Sequence, residues 1–386
     1  MTFAAGTVRA VAWLVLLASL PLAGAGRPPA QQDRRSDISS DETVVFFPGI
    51  AVETGPGSFD AHIRGWIFES LRGKAAIESI AASIRPLIGL DSQALPLDQL
   101  RDRGKLLFVE TERDQRIPID IEAERARLAA SEAGGHFEDR VALQNVRRSS
   151  GEWVTYRAVT KPGDGREFTG IVQLVGRTGV TVVSDIDDTI KDSNVLDKRE
   201  LALNTFVRDF REVPGMSQLY QAWARTNGVV FHYVSGSPWQ LLSPIADFMD
   251  RSSFPRGSFH LRRFRPKDSS AVEFLENRTL DFKVATIDRL MALFPDRRFV
   301  FVGDSGEKDP EVYSQLAVRC PRQVAAIFIR NVTNDDRTGP RFAPLFGPLA
   351  PHIERRLFRT PADLMDVTLT PEFPSQLQGQ PRCSAR

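Results

Sequence analysis

The sequence predicts an α/β chain in two parts: an open-sheet domain over residues 178–360, preceded by a smaller β-rich domain over 43–177. Three observations carry this prediction. The runs at Val180–Ser184, Val229–Val234 and Arg298–Val302 are rich in β-branched and aromatic residues, and each stops in a polar or acidic loop, as strands of an open α/β sheet do. Between the last two runs, Val284, Ile287, Leu290, Met291 and Leu293 recur at helical spacing around Lys283. The earlier stretch shows short strand-like runs broken by glycine turns instead.

Taken in order, the first segment is a leader. Arg9 precedes an apolar run from Ala10 to Leu22, and Ala23-Gly24-Ala25 offers a small-residue cleavage site, so residues 1–25 read as a signal peptide for export to a periplasm or beyond the cell. The run is shorter than the about 20 apolar residues of a bilayer span and contains Pro21. Residues 26–42, with Pro28-Pro29 and Gln31-Gln32, read as a linker. In the β-rich part, strands are expected at Val44–Phe47, Ala61–Phe68, Leu106–Glu110, Ile117–Ile121 and Trp153–Val159, with a helix over Ala75–Ile88. Gly134-Gly135 and Pro162-Gly163-Asp164-Gly165 mark turns, the second between hairpin arms. This region offers no carboxylate pair or nucleophile, so substrate presentation or folding support is its expected role.

The chemistry begins at Ser184-Asp185-Ile186-Asp187-Asp188-Thr189. Acids at the carboxyl end of a strand face the crevice where open sheets bind ligands. Asp185 can attack phosphorus, and Asp187 can protonate a leaving oxygen and then activate water. Asp187 or Asp188 followed by Thr189 can equally cap a helix or shape an Asx turn. Three further places supply context. Ser235-Gly236-Ser237-Pro238-Trp239 follows the second strand, and its hydroxyl and backbone N–H groups suit a phosphoryl oxygen, or else form a turn into a helix starting near Trp239. Lys283 sits in the predicted helix. Gly303-Asp304-Ser305-Gly306-Glu307-Lys308-Asp309 adds carboxylates after the third strand, as a hard cation bound through oxygen requires.

Other classes are excluded on residues. Gly303-Asp304-Ser305-Gly306 has the look of a serine-protease nucleophile segment, but none of His62, His136, His232, His260 and His352 has a setting for the triad. A net charge of +1 over 386 residues argues against a nucleic-acid partner. There is no P-loop, dinucleotide fingerprint or zinc cluster. At 42% hydrophobic and 26% charged, the chain can build two ordinary cores.

The order strand-DxDxT, strand-Ser, helix-Lys, strand-GDxxxxD resembles the haloacid dehalogenase superfamily. Ser184–Val195, Tyr233–Leu241 and Val302–Tyr313 further resemble the catalytic domain of the actin-patch-associated phosphatidate phosphatase family. The resemblance covers roughly residues 178–335 and implies a doubly wound parallel-sheet, haloacid-dehalogenase-like fold with little or no large cap. It implies Asp185 as nucleophile and metal ligand, Asp187 as general acid/base and ligand through its carbonyl, and Asp304 as the third protein ligand of Mg²⁺. Asp309 would complete the metal-site residues by orienting that shell. Lys283 would neutralise the aspartyl phosphate, and Ser235, Gly236 and Thr189 would receive the phosphoryl group. Relatives commonly carry His before the lysine, where this chain has Phe282. The implied reaction is hydrolysis of a phosphomonoester, with phosphatidate or a similar lipid phosphate as substrate. The alternatives are a broad-specificity phosphatase of soluble phosphomonoesters, and a non-catalytic lipid-binding protein on the same scaffold.

Three segments remain. Leu261-Arg262-Arg263-Phe264-Arg265-Pro266-Lys267 is a basic cluster that can meet an anionic headgroup at a membrane surface or stay solvated. Arg341–Leu349 is apolar and proline-broken, to be packed over the second domain or laid on a membrane. Cys320 and Cys383 can pair and tie down the 361–386 tail, or leave Cys320 buried and Cys383 loose.

Overall fold

The computed structural model describes residues 36–70, 97–107, 109–226, 228–263 and 279–372, with 377 and 383. The leader at 1–25, most of the linker, the Ala75–Ile88 helix and much of the tail lie outside the described residues, as do Phe264–Lys267 of the basic cluster.

The first sheet opens with a hairpin of β1 (Glu42–Gly55) and β2 (Ser58–Ser70), turned at Gly57, whose φ of 66° suits glycine. Val44 and Phe46 enter the core of this sheet, whereas Phe47 joins the core under the second. At Pro48-Gly49 the pairing with β2 shifts register, and Ile50 then points into a different part of the interior. Next come α1 (Leu97–Leu107) and β3 (Val109–Thr111). The strand expected at Leu106–Glu110 is therefore divided: Leu106 and Leu107 close the helix, and Val109 and Glu110 lie in β3. Tertiary contacts decide this: Leu100 and Leu107 bury together, while Arg103 donates to the carbonyls of Thr205 at 2.9 Å and Arg208 at 2.7 Å and lies over the Phe210 ring.

The remaining strands of this sheet are β4 (Pro118–Ile121), β5 (Glu124–Arg127), β6 (His136–Leu143), β7 (Trp153–Ala158) and β8 (Thr169–Val175). Their order is β3-β2-β1-β8-β7-β4-β5, with β6 also on β2, and the β1–β8 pair alone is parallel. The hairpin expected around Pro162–Gly165 is present as β7–β8, with Gly163 at φ 87°.

The second part alternates strands and helices: β9 (Gly179–Ser184), α2 (Lys198–Phe206), α3 (Met216–Ala224), β10 (Val229–Pro238), α4 (Leu242–Arg251) and β11 (Gly257–Arg262). It continues with α5 (Thr279–Leu293), β12 (Arg297–Asp304), α6 (Asp309–Arg319), β13 (Val324–Arg330), the short α7 (Phe342–Phe346) and β14 (Glu354–Phe358). All pairings in the order β11-β10-β9-β12-β13-β14 are parallel. Every residue of β9 and β12 is buried, so both faces of these strands are covered, and the apolar stretch Phe299–Val302 runs without polar alternation. Val180, Val182, Val300 and Val302 pack with residues of α2, α3 and α4, while Val183, Phe299 and Phe301 pack with α5 and α6. The Ser235–Pro238 stretch, open as a turn in the sequence, extends β10 instead, with an irregular register against β11, and only a single 3₁₀ turn at Trp239–Leu241 precedes α4.

Arg297 pins the lower end of this sheet. Its buried guanidinium donates to Thr181 Oγ1 at 2.9 Å, Gly176 O at 3.0 Å and Val180 O at 2.6 Å, and also to the carbonyls of Thr178 and Gly228. The chain leaving β8 is thereby tied to the start of β9, the strand that carries Asp185 at its far end. Arg341–Leu349 lies inward, with Phe342, Phe346 and Leu349 buried against α6 and its neighbours. Cys320 and Cys383 form a disulfide, with Cα atoms 5.1 Å apart. No helix among the described residues is long and apolar enough to cross a membrane.

His232 in β10 is fully buried, its Nδ1 at 2.6 Å from Ser258 Oγ. Burial, with Arg297 and Arg64 adding to it, pulls its pKa down to about 3. A base depressed in the fold stabilises it above the unfolded pKa, and this is lost as pH falls from about 6.5 toward 3. His232→Gln is expected to narrow the stability difference between pH 7 and pH 4 by roughly 3 kcal/mol. Denaturant titrations at the two pH values check this; an unchanged difference would mean that His232 is not held neutral.

Candidate active site

The carboxyl ends of β9, β10 and β12 bring the acidic and hydroxyl loops to one edge of the parallel sheet. β9 stops at Ser184, whose hydroxyl meets Tyr220 OH at 2.8 Å, and the Asp185 N–H donates to Val302 O of β12 at 2.9 Å. The last backbone bond between neighbouring strands thus aims the Asp185 side chain into the gap above them. Asp185 Oδ1 accepts from Lys283 Nζ at 2.8 Å and Oδ2 from Thr189 Oγ1 at 3.3 Å.

Lys283 comes from the first half of α5 and is wholly buried. Its ammonium also donates to Asp309 Oδ1 at 2.5 Å and Glu307 Oε2 at 3.0 Å, so each N–H meets a different carboxylate. Asp309 is held from the other side by the Asp304 N–H at 3.2 Å, at the N-terminal end of α6 with Pro310 behind it. Gly303 belongs there because a Cβ would run into the Asp309 carboxylate. At Gly236 a Cβ would come within 2.9 Å of Thr279 Cγ2, which opens α5. Both glycines let a strand end approach the element that carries its chemical partner.

Asp304 completes the cluster. Its Oδ1 accepts from the N–H groups of Gly306 at 2.6 Å and Glu307 at 3.1 Å, while its buried Oδ2 has no hydrogen-bond partner. One carboxylate oxygen each from Asp185, Asp304 and Glu307 lies within 4.8 Å of the others. Three carboxylates offering oxygen donors, one of them with an orphaned buried oxygen, fit a hard divalent cation. The charges agree. Burial first, and then mutual repulsion, pushes Asp185 and Asp304 well above the ordinary carboxylate range, and Glu307 and Asp309 are raised too by burial, with Lys283 opposing. Burial works against the charge on Lys283, but Asp185, Asp309 and Glu307 outweigh it and hold its pKa well above normal. One ammonium faces four carboxylates, and a dication would reduce the excess.

Asp187 lives in different company. Its Oδ1 accepts from Lys191 Nζ at 2.7 Å and Ser193 Oγ at 2.7 Å, and its Oδ2 from Ser235 Oγ at 3.2 Å and Ser237 Oγ at 2.7 Å. Burial opposes its charge, yet the Lys191 ammonium and the bonds from Lys191, Ser193 and Ser237 hold its carboxyl well below the usual range. The loop-shaping work open to either acid in the sequence falls to Asp188. At φ 53° it accepts the N–H groups of Ser193 and Asn194 at 2.8 Å each and of Val195 at 2.6 Å. Asp187 is released from backbone capping.

The structure thus brings Asp185, Asp187, Thr189, Ser235, Gly236, Lys283, Asp304 and Asp309 to one edge. Asp309 is engaged by Lys283 and the Asp304 amide, whereas Glu307, missed in the sequence, joins the oxygen trio. Its signal was present in the Gly303–Asp309 loop, three residues after Asp304, but the spacing alone does not say which acid turns inward. Lys191, four residues after Asp187, Ser193 and Ser237 were missed as well. Arg262 and Arg263 line a cavity, and Arg262 also feels the charge of Glu307 in the carboxylate cluster.

A parallel sheet with a buried lysine, an oxygen trio and a second, hydroxyl-ringed aspartate at one edge defines a site suited to phosphoryl groups. Residues 180–331 match the family described as "Phosphatidate phosphatase APP1, catalytic domain". An uncharacterized protein of Schizosaccharomyces pombe is 31% identical over 174 residues, covering 44% of this chain and 28% of that protein. Phosphatidate phosphatase APP1 of Saccharomyces cerevisiae is 33% identical over 159 residues, covering 40% of this chain and 26% of that protein. The match therefore spans between 26% and 28% of these curated relatives' lengths. A solved carbohydrate-esterase structure is 10% identical with a TM-score of 0.21, covering 82% of this chain and 88% of that one, and a likeness so low carries no argument.

Proposed function

We propose that this chain is a Mg²⁺-dependent phosphatase that hydrolyses phosphomonoesters through an aspartyl-phosphate intermediate, with a lipid phosphate such as phosphatidate as substrate. The observation that carries the reading is the division of labour between two acids two residues apart. Asp185 sits against a lysine and the oxygen trio, and Asp187 sits among hydroxyls and a separate lysine. The family of residues 180–331 supports phosphatidate as the substrate. The parallel sheet with apolar partners on both faces supports a doubly wound, haloacid-dehalogenase-like domain over 178–360, with 43–177 as an accessory β-rich domain.

In this mechanism Asp185 attacks phosphorus in line, with Lys283 screening the repulsion between the carboxylate and the phosphoryl oxygens. Asp185, Asp304 and Glu307 would hold the cation, which when bound supplies further charge neutralisation. Ser235, Gly236 and Thr189 orient the phosphoryl group. Asp187 passes a proton to the leaving alkoxide and takes one from the water that cleaves the aspartyl phosphate. Since Lys191 keeps Asp187 ionised in the free protein, substrate binding has to weaken that pair before the acid step. Halide needs no such acid, so Asp187 supports phosphatase over dehalogenase chemistry.

A phosphate-release screen tests the proposal. Phosphatidate in mixed micelles is expected to be turned over faster than sugar phosphates or nucleotides, and chelation of divalent cations is expected to stop release, with Mg²⁺ restoring it. Equal rates on soluble monoesters would select a broad-specificity phosphatase. Binding of phosphatidate without release would select a lipid-binding protein on the same scaffold. We also propose export by residues 1–25, a reading that the Cys320–Cys383 disulfide supports because such bonds persist in oxidising compartments.

A further inference from the structure

Two of the three carboxylates in the oxygen trio stand on one short connection. Asp304 ends β12, Asp309 opens α6, and Ser305 to Lys308 between them belong to neither a strand nor a helix. Glu307 sits in this stretch, so where its carboxylate points depends on what fixes the backbone around it. Part of that hold comes from inside the cluster, where Asp304 Oδ1 accepts the Glu307 N–H at 3.1 Å and Lys283 donates to Glu307 Oε2 at 3.0 Å.

The rest comes from the chain beyond β13. The Ser305 N–H donates to Arg330 O at 2.9 Å, and Ser305 Oγ accepts from the N–H groups of Val332 at 2.9 Å and Thr333 at 3.1 Å. Gly306 is wedged between two loops: a Cβ there would come within 2.6 Å of Val195 Cγ2 and 3.1 Å of Val332 Cγ2.

Arg341, the residue before α7, closes this clamp. Its Nη1 donates to the Ser305 carbonyl and its Nη2 to the Glu307 carbonyl at 2.9 Å, so one guanidinium bridges the backbone on both sides of Gly306. The same two nitrogens reach Asp335 Oδ2 at 3.3 Å and Glu311 Oε2 at 3.4 Å, which hold the fork from behind. Phe342, next in the chain, is fully buried and anchors the arginine's backbone. A planar fork can span two carbonyls in a fixed geometry, and a lysine ammonium on a flexible stem cannot. Arg341 lies beyond the 180–331 segment that matches the family, so this clamp comes from outside the matched stretch.

We propose that Arg341 is a positioning residue for the cation site: by bridging the Ser305 and Glu307 carbonyls it keeps the Glu307 carboxylate in the trio with Asp185 and Asp304, and so sets the affinity for a divalent cation. The inference rests on reading the trio as a cation site. Groups that orient a metal ligand typically contribute tenfold to a hundredfold in metal affinity. The sign of the effect separates positioning from charge. Removing a nearby positive charge would by itself tighten the binding of a cation, whereas losing the clamp weakens it.

Isothermal titration of the full chain with Mg²⁺, without substrate, tests this. Arg341→Gln is expected to weaken Mg²⁺ binding about tenfold or more, and Arg341→Lys, which keeps the charge and most of the stem, is expected to weaken it as well. In the Glu307→Gln chain, adding Arg341→Gln is expected to cost less than about twofold more, because the carboxylate it positions is gone. Wild-type protein that binds no Mg²⁺ would overturn the cation reading and this inference with it. Wild-type binding joined to unchanged or tighter binding by Arg341→Gln would overturn the inference alone, as would a full further tenfold loss in the Glu307→Gln chain.

Discussion

Asp185→Asn is expected to abolish phosphate release, by at least about 10⁴-fold, while leaving the protein folded. The substitution is nearly isosteric, and the amide oxygen can still accept from Lys283. Electrostatically the fold loses little, because Asp185 is one of four carboxylates clustered around one ammonium, and burial already disfavours its charge. In the absence of divalent cations the unfolding midpoint should hold steady or rise. The pairing of lost turnover with retained stability separates a nucleophile from a structural acid. Turnover within tenfold of wild type would sink the covalent mechanism and leave Asp185 as a mere member of the cluster.

Lys283→Met should have the opposite profile on stability. Lys283 is wholly buried and bonds Asp185, Asp309 and Glu307 within 3.0 Å. Removing the one cation leaves three facing carboxylates with no compensating charge, and breaking a buried pair of this kind costs about 3–5 kcal/mol. Protonation of one acid will recover part of that cost, so the loss should be largest at neutral pH and shrink toward acid. A divalent cation that binds the trio should restore part of the midpoint, since a ligand held by the folded state alone stabilises by about 2.7 kcal/mol at a hundred times its Kd. Phosphate release should fall as well, because the carboxylate nucleophile then meets an unscreened dianion. Denaturant unfolding with and without Mg²⁺ reads both effects; a midpoint equal to wild type in the absence of the cation would show that Lys283 does not neutralise this cluster.

These two side chains also show how differently sequence and structure speak. Asp185 was legible because a strand, its end and the acids after it lie within ten residues, and the order of the four motif segments depends on the chain alone. Lys283 was legible only as a lysine on a helix; its three partners lie 98, 24 and 26 residues away. Glu307 was passed over in favour of Asp309 because both stand in the same loop. Which oxygen turns toward Asp185 depends on the two amides that hold Asp304 and on the lysine that claims Asp309. Leu106–Glu110 reads as one strand by its residues, and Val109 and Glu110 are one, yet Leu107 buries with Leu100 on a helix whose Arg103 ties it to Thr205 and Arg208.

The sequence by itself determined the elements whose signals are local: buried strands with acidic ends, the helix around Lys283, the hairpin at Gly163 and the carboxylates needed near a phosphoryl group. Only the tertiary structure decided which acids form the oxygen trio, that Asp188 rather than Asp187 shapes the loop, that Cys320 meets Cys383, and that the first sheet closes a cavity against β11 and α5. The physical reason is range. Periodicity and turn chemistry act over a few residues and are written in order along the chain, whereas charge balance in a buried cluster and the walls of a cavity depend on groups that meet only when distant strands pair.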